Sequence, residues 1–312
     1  MSAAGVGQEA ARFGSGAVVR RIEDRTLVLG QGQFTDDVTM PGQTWLAFLR
    51  SDRAHARILS IDADAAREAP GVLAVITGAD LVAAGLKPIP TAPPYKRPGG
   101  APFTVPLRRA LAHEVVRFVG EAVVAVVADS REAARAAAAL VWVDYEDLPA
   151  VAGIEQALLP GAPAVWPDVP DNRAAESQHG DAAATEAAFA AAAHRVQLHI
   201  VNQRVAPVTM EPRSVSAFMD GDRVTLRLSS QMPTAVRAAV ADSIPGRSMD
   251  NVRVVVGDVG GGFGMKAGVY SEDIVLAYAA LQLKRPVKWQ ADRVEDFTSA
   301  VHGRGQASDA EL

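Results

Sequence analysis

The sequence contains no cysteine among its 312 residues. This absence excludes disulfide bonds, a thiolate nucleophile and any iron–sulfur cluster held by this chain alone. Histidine is also scarce, and the closest pair, His194 and His199, has no nearby carboxylate in a ligand pattern such as HExxH. We therefore expect no metal bound directly by side chains. Any metal would arrive within a cofactor that brings its own ligands.

Long apolar runs and an excess of positive charge are missing as well. The apolar stretches stay well below the ~20 residues that a membrane helix needs, and the N-terminus has no apolar signal core. The formal net charge of -5 provides no basic surface for nucleic acid or for an anionic membrane. We interpret the chain as cytoplasmic, without nucleic-acid or membrane partners, and residues 1–17 as a disordered leader.

What the sequence does contain is a series of short strand and helix patterns, which predicts an α+β protein in two compact parts. Continuous apolar runs at 71–77 and 121–129 are typical of buried strands, and Ser130 has the N-cap position of an alanine-rich helix after the second run. A stretch rich in proline and glycine predicts a linker at 151–180. The predicted domains are residues 18–150 and residues 181–312.

Smaller signals predict further elements. Seven prolines between residues 87 and 106 predict a loop, because proline has no backbone N–H to donate. An Asp-Gly-Asp turn at 220–222 predicts a β-hairpin. Pro233 is expected to open one helix and Ser271 to cap another.

The most unusual stretch is VGDVGGGFGMK, residues 256–266, with three consecutive glycines from Gly260 to Gly262. Glycine is costly to order, so such a run indicates unusual dihedrals or a ligand close to the backbone. Lys266 lacks the flanking residues of a P-loop, and no frame of the glycines satisfies GxGxxG, so a nucleotide-binding module is disfavoured. A nest for anionic or metal-bound oxygens and a tight bend packed on a neighbouring strand both stay open.

The surroundings of this loop carry a resemblance to a known family. DVGGGFGMK followed by YSEDIVLAYAALQLKRPVKWQADRVEDF resembles the large, molybdopterin-binding subunit of the xanthine oxidase family of molybdenum hydroxylases. RFVGEAVVAVVADSREAARAAAALVWVDYEDLPAV resembles the opening domain of that subunit, and SSQMPTAVRAAVADSI also matches in order and spacing. The resemblance covers residues 18–312. It implies a hammerhead-like α/β domain over 18–150 and the first part of a molybdopterin-binding domain over 181–312, incomplete at its C-terminus.

The resemblance also implies roles for individual residues. Gln231 matches the glutamine that hydrogen-bonds an oxygen ligand of molybdenum, while the pterin dithiolene, not a side chain, holds the metal. The segment next to the cofactor in the family is matched by Gly261, Gly262, Phe263 and Gly264. A side chain at any of these glycines would occupy the space of the cofactor. The alternatives are that Phe263 is a core aromatic residue and that Gln231 only ends a strand before a helix.

Other positions bear on the substrate and on completeness. Purine-oxidising members of the family carry a glutamate where this chain has Ala267, which argues against a purine and leaves aldehydes, non-purine heteroaromatic compounds and carbon monoxide. Glu211 also matches a family feature, and we interpret it as structural. The family's large subunit continues well past position 312, and the missing part carries the glutamate that acts as general base. No catalytic residue is therefore assigned in this chain.

These features lead to two hypotheses of different classes. The first is the N-terminal part of a molybdenum-dependent oxidoreductase that uses molybdopterin, as the cytosine dinucleotide, and water as the oxygen source. Its partners would be an iron–sulfur small subunit with [2Fe-2S] clusters, an FAD-binding medium subunit and a polypeptide that supplies the C-terminal half. By itself the chain would be inactive. The second hypothesis is a truncated, non-catalytic fragment that only folds or binds partner subunits.

Overall fold

The structure, a computed structural model, describes residues 21–91 and 104–312. The predicted leader, residues 1–17, and the centre of the predicted proline-rich loop lie outside these residues. The described residues before Phe34 belong to a small unit of their own, with one short helix, α1 (Asp24–Val28). All further description concerns the second unit, Phe34–Leu312.

The described part of this unit contains three β-sheets and eight α-helices. The strands are β1 (Thr44–Arg50), β2 (Ala56–Asp62), β3 (Val72–Thr77), β4 (Val115–Val116), β5 (Ala122–Ala128), β6 (Trp142–Asp147), β7 (Gln197–Asn202), β8 (Ser214–Asp220), β9 (Arg223–Leu228), β10 (Val252–Val255), β11 (Val287–Gln290) and β12 (Gln306–Glu311). The helices are α2 (Asp64–Glu68), α3 (Gly78–Ala83), α4 (Arg131–Ala138), α5 (Ile154–Ala157), α6 (Ala182–Ala191), α7 (Pro233–Ser243), α8 (Ser271–Leu283) and α9 (Arg293–Ser299).

A seven-stranded sheet forms the centre of the unit, in the order β10-β9-β8-β11-β1-β5-β3. Strand β5 consists of seven buried apolar residues, and successive side chains of a strand point to opposite faces. Ala125 and Val127 accordingly join the core beneath α7 and α8, whereas Val124 and Val126 join the core beneath α4. The sheet therefore separates two hydrophobic cores.

This sheet combines strands from both predicted domains. Strand β1 runs parallel to β11, with Thr44 opposite Val287, and antiparallel to β5. The expectation of two separately compact units therefore differs from the structure, because β1 needs hydrogen-bonding partners at both of its edges and takes one from each half. The sequence bounds proposed for the domains stay a prediction.

Most local elements follow their sequence signals. The predicted hairpin is β8–β9, and Ser130 caps α4 by accepting a hydrogen bond from the Ala133 backbone N–H at 3.1 Å. The N-cap prediction for α8 was wrong: Tyr270 occupies that position, and its N–H donates to the Asp273 carboxylate at 2.9 Å. The sequence reading also missed α9 and the helical turn α5 inside the predicted linker.

The smaller sheets lie outside this central layer. Strands β4, β2 and β6 form a three-stranded sheet, and β7 pairs antiparallel with β12 in a two-stranded ribbon. Every residue of β7 is exposed, including Leu198 and Ile200. None of the described helices has the length and apolarity to span a membrane.

Candidate functional site

The glycine loop connects β10 to α8 and has an unusual backbone. Gly261 and Gly264 have positive φ angles of 99° and 86°, and between them Phe263 has a φ of 49°. Glycine adopts this left-handed region freely, whereas a phenylalanine there is strained. The loop therefore uses glycine where the dihedrals require it and keeps one strained aromatic residue at its tip.

Gln231 reaches this loop from the turn between β9 and α7. The Gly264 backbone N–H donates to Gln231 Oε1 at 3.1 Å, and the Gln231 backbone N–H donates to the Lys266 carbonyl at 2.8 Å. Because a backbone N–H can only donate, the amide oxygen of Gln231 must face the loop. The Nε2 group, which is the donor end of the side chain, is therefore the end that does not bond the Gly264 N–H. The structure thus brings together the predicted site residues.

The space around the glycines differs from one position to the next. A Cβ at Gly262 would lie 2.5 Å from Gln231 Oε1, and one at Gly261 would lie 3.2 Å from the Phe263 ring. A Cβ at Gly264 would meet no atom within 4 Å. Gly261 and Gly262 are therefore needed first because a side chain at either position would crowd the protein's own side chains, before any cofactor is considered.

Phe263 lies at the surface of the loop. Its side chain is 74% exposed, which is far from the burial of a core aromatic residue. The alternative that Phe263 belongs to the core is therefore wrong. Phe263 is thus an exposed aromatic residue in a strained backbone, one residue before the open position at Gly264.

A buried ion pair lies beneath the loop. The ammonium group of Lys266 is 3.0 Å from Glu211 Oε2, and the side chains are 0% and 8% exposed. Burial lowers the pKa of Lys266, although Glu211 partly opposes this effect. The same carboxylate accepts hydrogen bonds from the Gly260 N–H at 2.9 Å and from Ser229 at 2.6 Å. These contacts agree with the structural interpretation of Glu211; the role of Lys266 was missed.

A second buried charge network is built around Arg213, which follows Glu211 by two residues. Arg213 donates to Asp296 at 2.8 Å and to Glu272 at 3.2 Å, and Arg50 donates to Glu272 at 2.6 Å. Burial opposes the ionisation of Glu272, but the two guanidinium groups outweigh it and lower the pKa of Glu272 to about 2. Burial also raises the pKa of the neighbouring Asp273 to about 7. Sequence reading found none of these pairs.

The donors of the site suit a ligand that brings its own metal-binding atoms. Within residues 21–91 and 104–312, no three His, Cys, Asp or Glu side chains come together as a metal site. The open side of the loop is at Gly264, where a Cβ would meet no atom within 4 Å, and the Gln231 amide lies next to it because its Oε1 accepts from the Gly264 N–H. An amide side chain beside an uncovered glycine backbone fits an oxygen-rich or anionic group. A molybdenum–pterin cofactor has that chemistry.

Two family models match nearly the whole described chain. The model of the molybdopterin cofactor-binding domain matches residues 165–312, which include the glycine loop and Gln231. The model of the aldehyde oxidase and xanthine dehydrogenase a/b hammerhead domain matches residues 29–149. The chain belongs to the xanthine oxidase family of molybdenum hydroxylases.

Individual relatives agree with this membership. The chain is 37% identical over 297 residues to the nicotine 6-hydroxylase large subunit of Paenarthrobacter nicotinovorans, covering 93% of this chain and 35% of the relative. It is 35% identical over 305 residues to the carbon monoxide dehydrogenase large chain of Hydrogenophaga pseudoflava, covering 93% of this chain and 36% of that one.

Solved structures give the same result. The crystal structure of quinoline 2-oxidoreductase from Pseudomonas putida 86 has a TM-score of 0.81 at 36% identity, covering 94% of this chain and 36% of the solved chain. The aldehyde oxidoreductase from Desulfovibrio gigas has a TM-score of 0.78 at 27% identity, covering 90% of this chain and 31% of the solved chain. This chain thus spans about a third of the length of the family members that it matches.

Proposed function

We propose that this chain is the N-terminal, molybdopterin-binding portion of a molybdenum hydroxylase large subunit. The observation that carries the proposal is the contact between Gln231 and the glycine loop. It holds the amide oxygen of Gln231 on the Gly264 N–H, next to the open space at Gly264, and we infer that the Nε2 end of the same side chain donates to the cofactor. The complete enzyme would oxidise a small molecule with water as the oxygen source.

The cofactor, when bound, supplies the two-electron redox chemistry of the reaction. The chain's own residues bind and orient it. Gln231 would donate a hydrogen bond through Nε2, the Gly261–Gly264 backbone would allow close approach, and the exposed ring of Phe263 would pack against the bound group. We assign the general base to the part of the large subunit beyond residue 312.

The substrate class follows from the residue after the loop lysine. Ala267 is exposed and presents a methyl group where purine-oxidising members of the family carry a carboxylate. We therefore propose an aldehyde, a non-purine heteroaromatic compound or carbon monoxide. The names of the relatives quoted above, which include a nicotine hydroxylase, a carbon monoxide dehydrogenase and a quinoline oxidoreductase, support this range.

The proposed assembly has four components. Electrons would pass from molybdenum to [2Fe-2S] clusters on a small subunit and to FAD on a medium subunit, and a further polypeptide would supply the C-terminal half of the large subunit. The names of the relatives, as a large chain or as a complex subunit, support such an assembly. We propose the cytosine dinucleotide form of the cofactor and a cytoplasmic location.

The test of this proposal is Gln231→Ala in a molybdenum-loaded complex. The fold should persist because Gln231 is exposed. Turnover should fall on the order of 10- to 1,000-fold, by analogy with the removal of one preorganised donor. Gln282→Ala, which removes an exposed glutamine of α8, is the matched control and should keep wild-type turnover.

Two outcomes would reject parts of the proposal. Wild-type turnover of the loaded Gln231→Ala complex would remove Gln231 from the site. A chain that never acquires molybdenum, even with all partner polypeptides present, would favour the alternative of a non-catalytic fragment.

A further inference from the structure

In the buried Lys266–Glu211 pair beneath the glycine loop, all the N–H groups of the Lys266 ammonium are hydrogen-bonded. Lys266 Nζ donates to the Glu211 carbonyl at 2.9 Å, to Glu211 Oε2 at 3.0 Å and to Ser229 Oγ at 2.8 Å. An ammonium group has three N–H donors. All three are used inside the protein, so the Lys266 ammonium group has no donor left for a ligand.

Glu211 transmits this contact to the start of the loop. Its Oε2 atom accepts from the Gly260 N–H at 2.9 Å, and its own N–H donates to the Gly260 carbonyl at 3.1 Å. A Cβ at Gly260 would lie 2.5 Å from the Glu211 Cβ, so the two backbones meet without room for a side chain. Glu211 therefore fixes the Gly260 peptide from both sides.

The main chain of Lys266 fixes the other end of the loop. Its carbonyl accepts from the Gln231 N–H at 2.8 Å, and Gln231 Oε1 in turn accepts from Gly264. The side chain of Lys266 thus holds Gly260 indirectly, through Glu211. The backbone carbonyl of Lys266 holds Gln231 directly. These hydrogen bonds connect both ends of the glycine loop, Gly260 and Gly264, to Lys266.

Stability alone is a poor reason for such a pair. Replacing a buried ion pair by apolar residues of similar volume is often neutral or stabilising, whereas its directional hydrogen bonds fix one geometry. We propose that Lys266 and Glu211 are positioning residues, which set the glycine loop and Gln231 Nε2 in the arrangement that retains the cofactor. This inference rests on the proposed function, because it concerns the same site.

The chain offers a matched control for this idea. Lys288 is also fully buried, with a side chain 1% exposed, and it is paired with Asp36 at 3.0 Å. Its Nζ donates to the carbonyls of Asp36 and Val38 and makes no contact with the glycine loop. Lys288→Met therefore removes the ion pair of a second buried lysine elsewhere in the fold, with the difference that its partner, Asp36, is 33% exposed.

The experiment compares Lys266→Met with Lys288→Met in the assembled complex. Three quantities are measured: amide hydrogen exchange over residues 256–268, molybdenum and pterin retained per chain, and the urea midpoint of unfolding. Lys266→Met should speed exchange in the loop about 10- to 100-fold, the equivalent of one hydrogen bond to a charged group, and should lose most of the cofactor. Lys288→Met should also lower the urea midpoint but keep the loop protected and the cofactor bound.

Glu211 gives an independent reading if Lys266→Met fails to fold. Glu211→Ala should lose the cofactor, and Glu211→Gln, which keeps an acceptor for the Gly260 N–H, should restore part of it. Wild-type cofactor retention and loop exchange in Lys266→Met, or equal cofactor loss in Lys288→Met, would overturn the positioning role. So would equal retention by Glu211→Ala and Glu211→Gln. A wild-type complex without molybdenum would instead overturn the proposed function itself.

Discussion

Replacing Gly262 by alanine should disable the site without unfolding the chain. Gly262 is not among the glycines with a positive φ angle, so an alanine there meets no left-handed backbone strain. The added Cβ would lie 2.5 Å from Gln231 Oε1, 2.6 Å from Cδ and 2.9 Å from Cγ. These distances are shorter than any van der Waals contact, so the Gln231 side chain must move.

The cost of that movement is small for the fold and large for the site. Gln231 is exposed and can rotate away, which breaks its 3.1 Å hydrogen bond from Gly264. The free energy of unfolding should therefore fall by only about 1 kcal/mol. The amide donor leaves its position at the same time, so turnover should fall as far as in Gln231→Ala, on the order of 10- to 1,000-fold.

A double-mutant cycle tests this reasoning. If Gly262→Ala acts by displacing Gln231, the double variant Gly262→Ala/Gln231→Ala should be no worse than either single variant, because both remove the same interaction. Gly268→Ala is the control, since a Cβ there meets no atom within 4 Å and the backbone is extended. Additive losses in the double variant, or wild-type turnover in Gly262→Ala, would refute the mechanism.

Three further predictions concern the supporting fold. Arg213→Met leaves two buried carboxylates without their shared partner and should cost about 3–5 kcal/mol of unfolding free energy; a loss below about 1 kcal/mol in urea would contradict this. Asp273, whose folded-state pKa is about 7, keeps its proton up to that pH, whereas the unfolded chain releases it near pH 4. Its contribution therefore lowers stability as pH rises from about 4 to about 7, and Asp273→Asn should abolish that fall, measured as the urea midpoint against pH. Limited proteolysis should cut first within 150–180 or 87–106, and a first cut within the buried strand at 122–128 would contradict the fold.

Local elements could be predicted because their signals lie within a few residues. Seven consecutive apolar residues can only be a buried segment, as β5 is, and Ser130 has both the position and the oxygen of an N-cap. The sequence also carries an N-cap signal for α9, namely Asp292 three residues before Glu295. In the structure Asp292 accepts a hydrogen bond from the Glu295 N–H, as an N-cap does.

Long-range pairings could not be predicted in this way. Lys266 and Glu211 are 55 residues apart, and Arg50 and Glu272 are 222 apart. Charged side chains are usually exposed. Nothing in the sequence therefore indicates that either of these two ion pairs lies inside the protein. The parallel pairing of β1 with β11 could not be predicted either, because the apolar sequence of a strand does not specify which strand it pairs with.

The site itself was predictable only through the family resemblance. Composition and spacing left a ligand nest and a tight packed bend equally open for the glycine loop. The structure shows a packed bend at Gly260 and Gly262, which lie against protein atoms, whereas Gly264 borders open space. The ligand nest stays a prediction.

The most direct test of the account is the molybdenum and pterin content of the purified chain. It should be measured for the chain expressed alone and for the chain expressed with a polypeptide equivalent to the remaining two thirds of its relatives. We predict little or no cofactor and no hydroxylase activity for the chain alone, and stoichiometric molybdenum with activity for the pair. A chain that alone is monomeric, loaded with molybdenum and active would contradict the account, and so would a pair that binds no molybdenum.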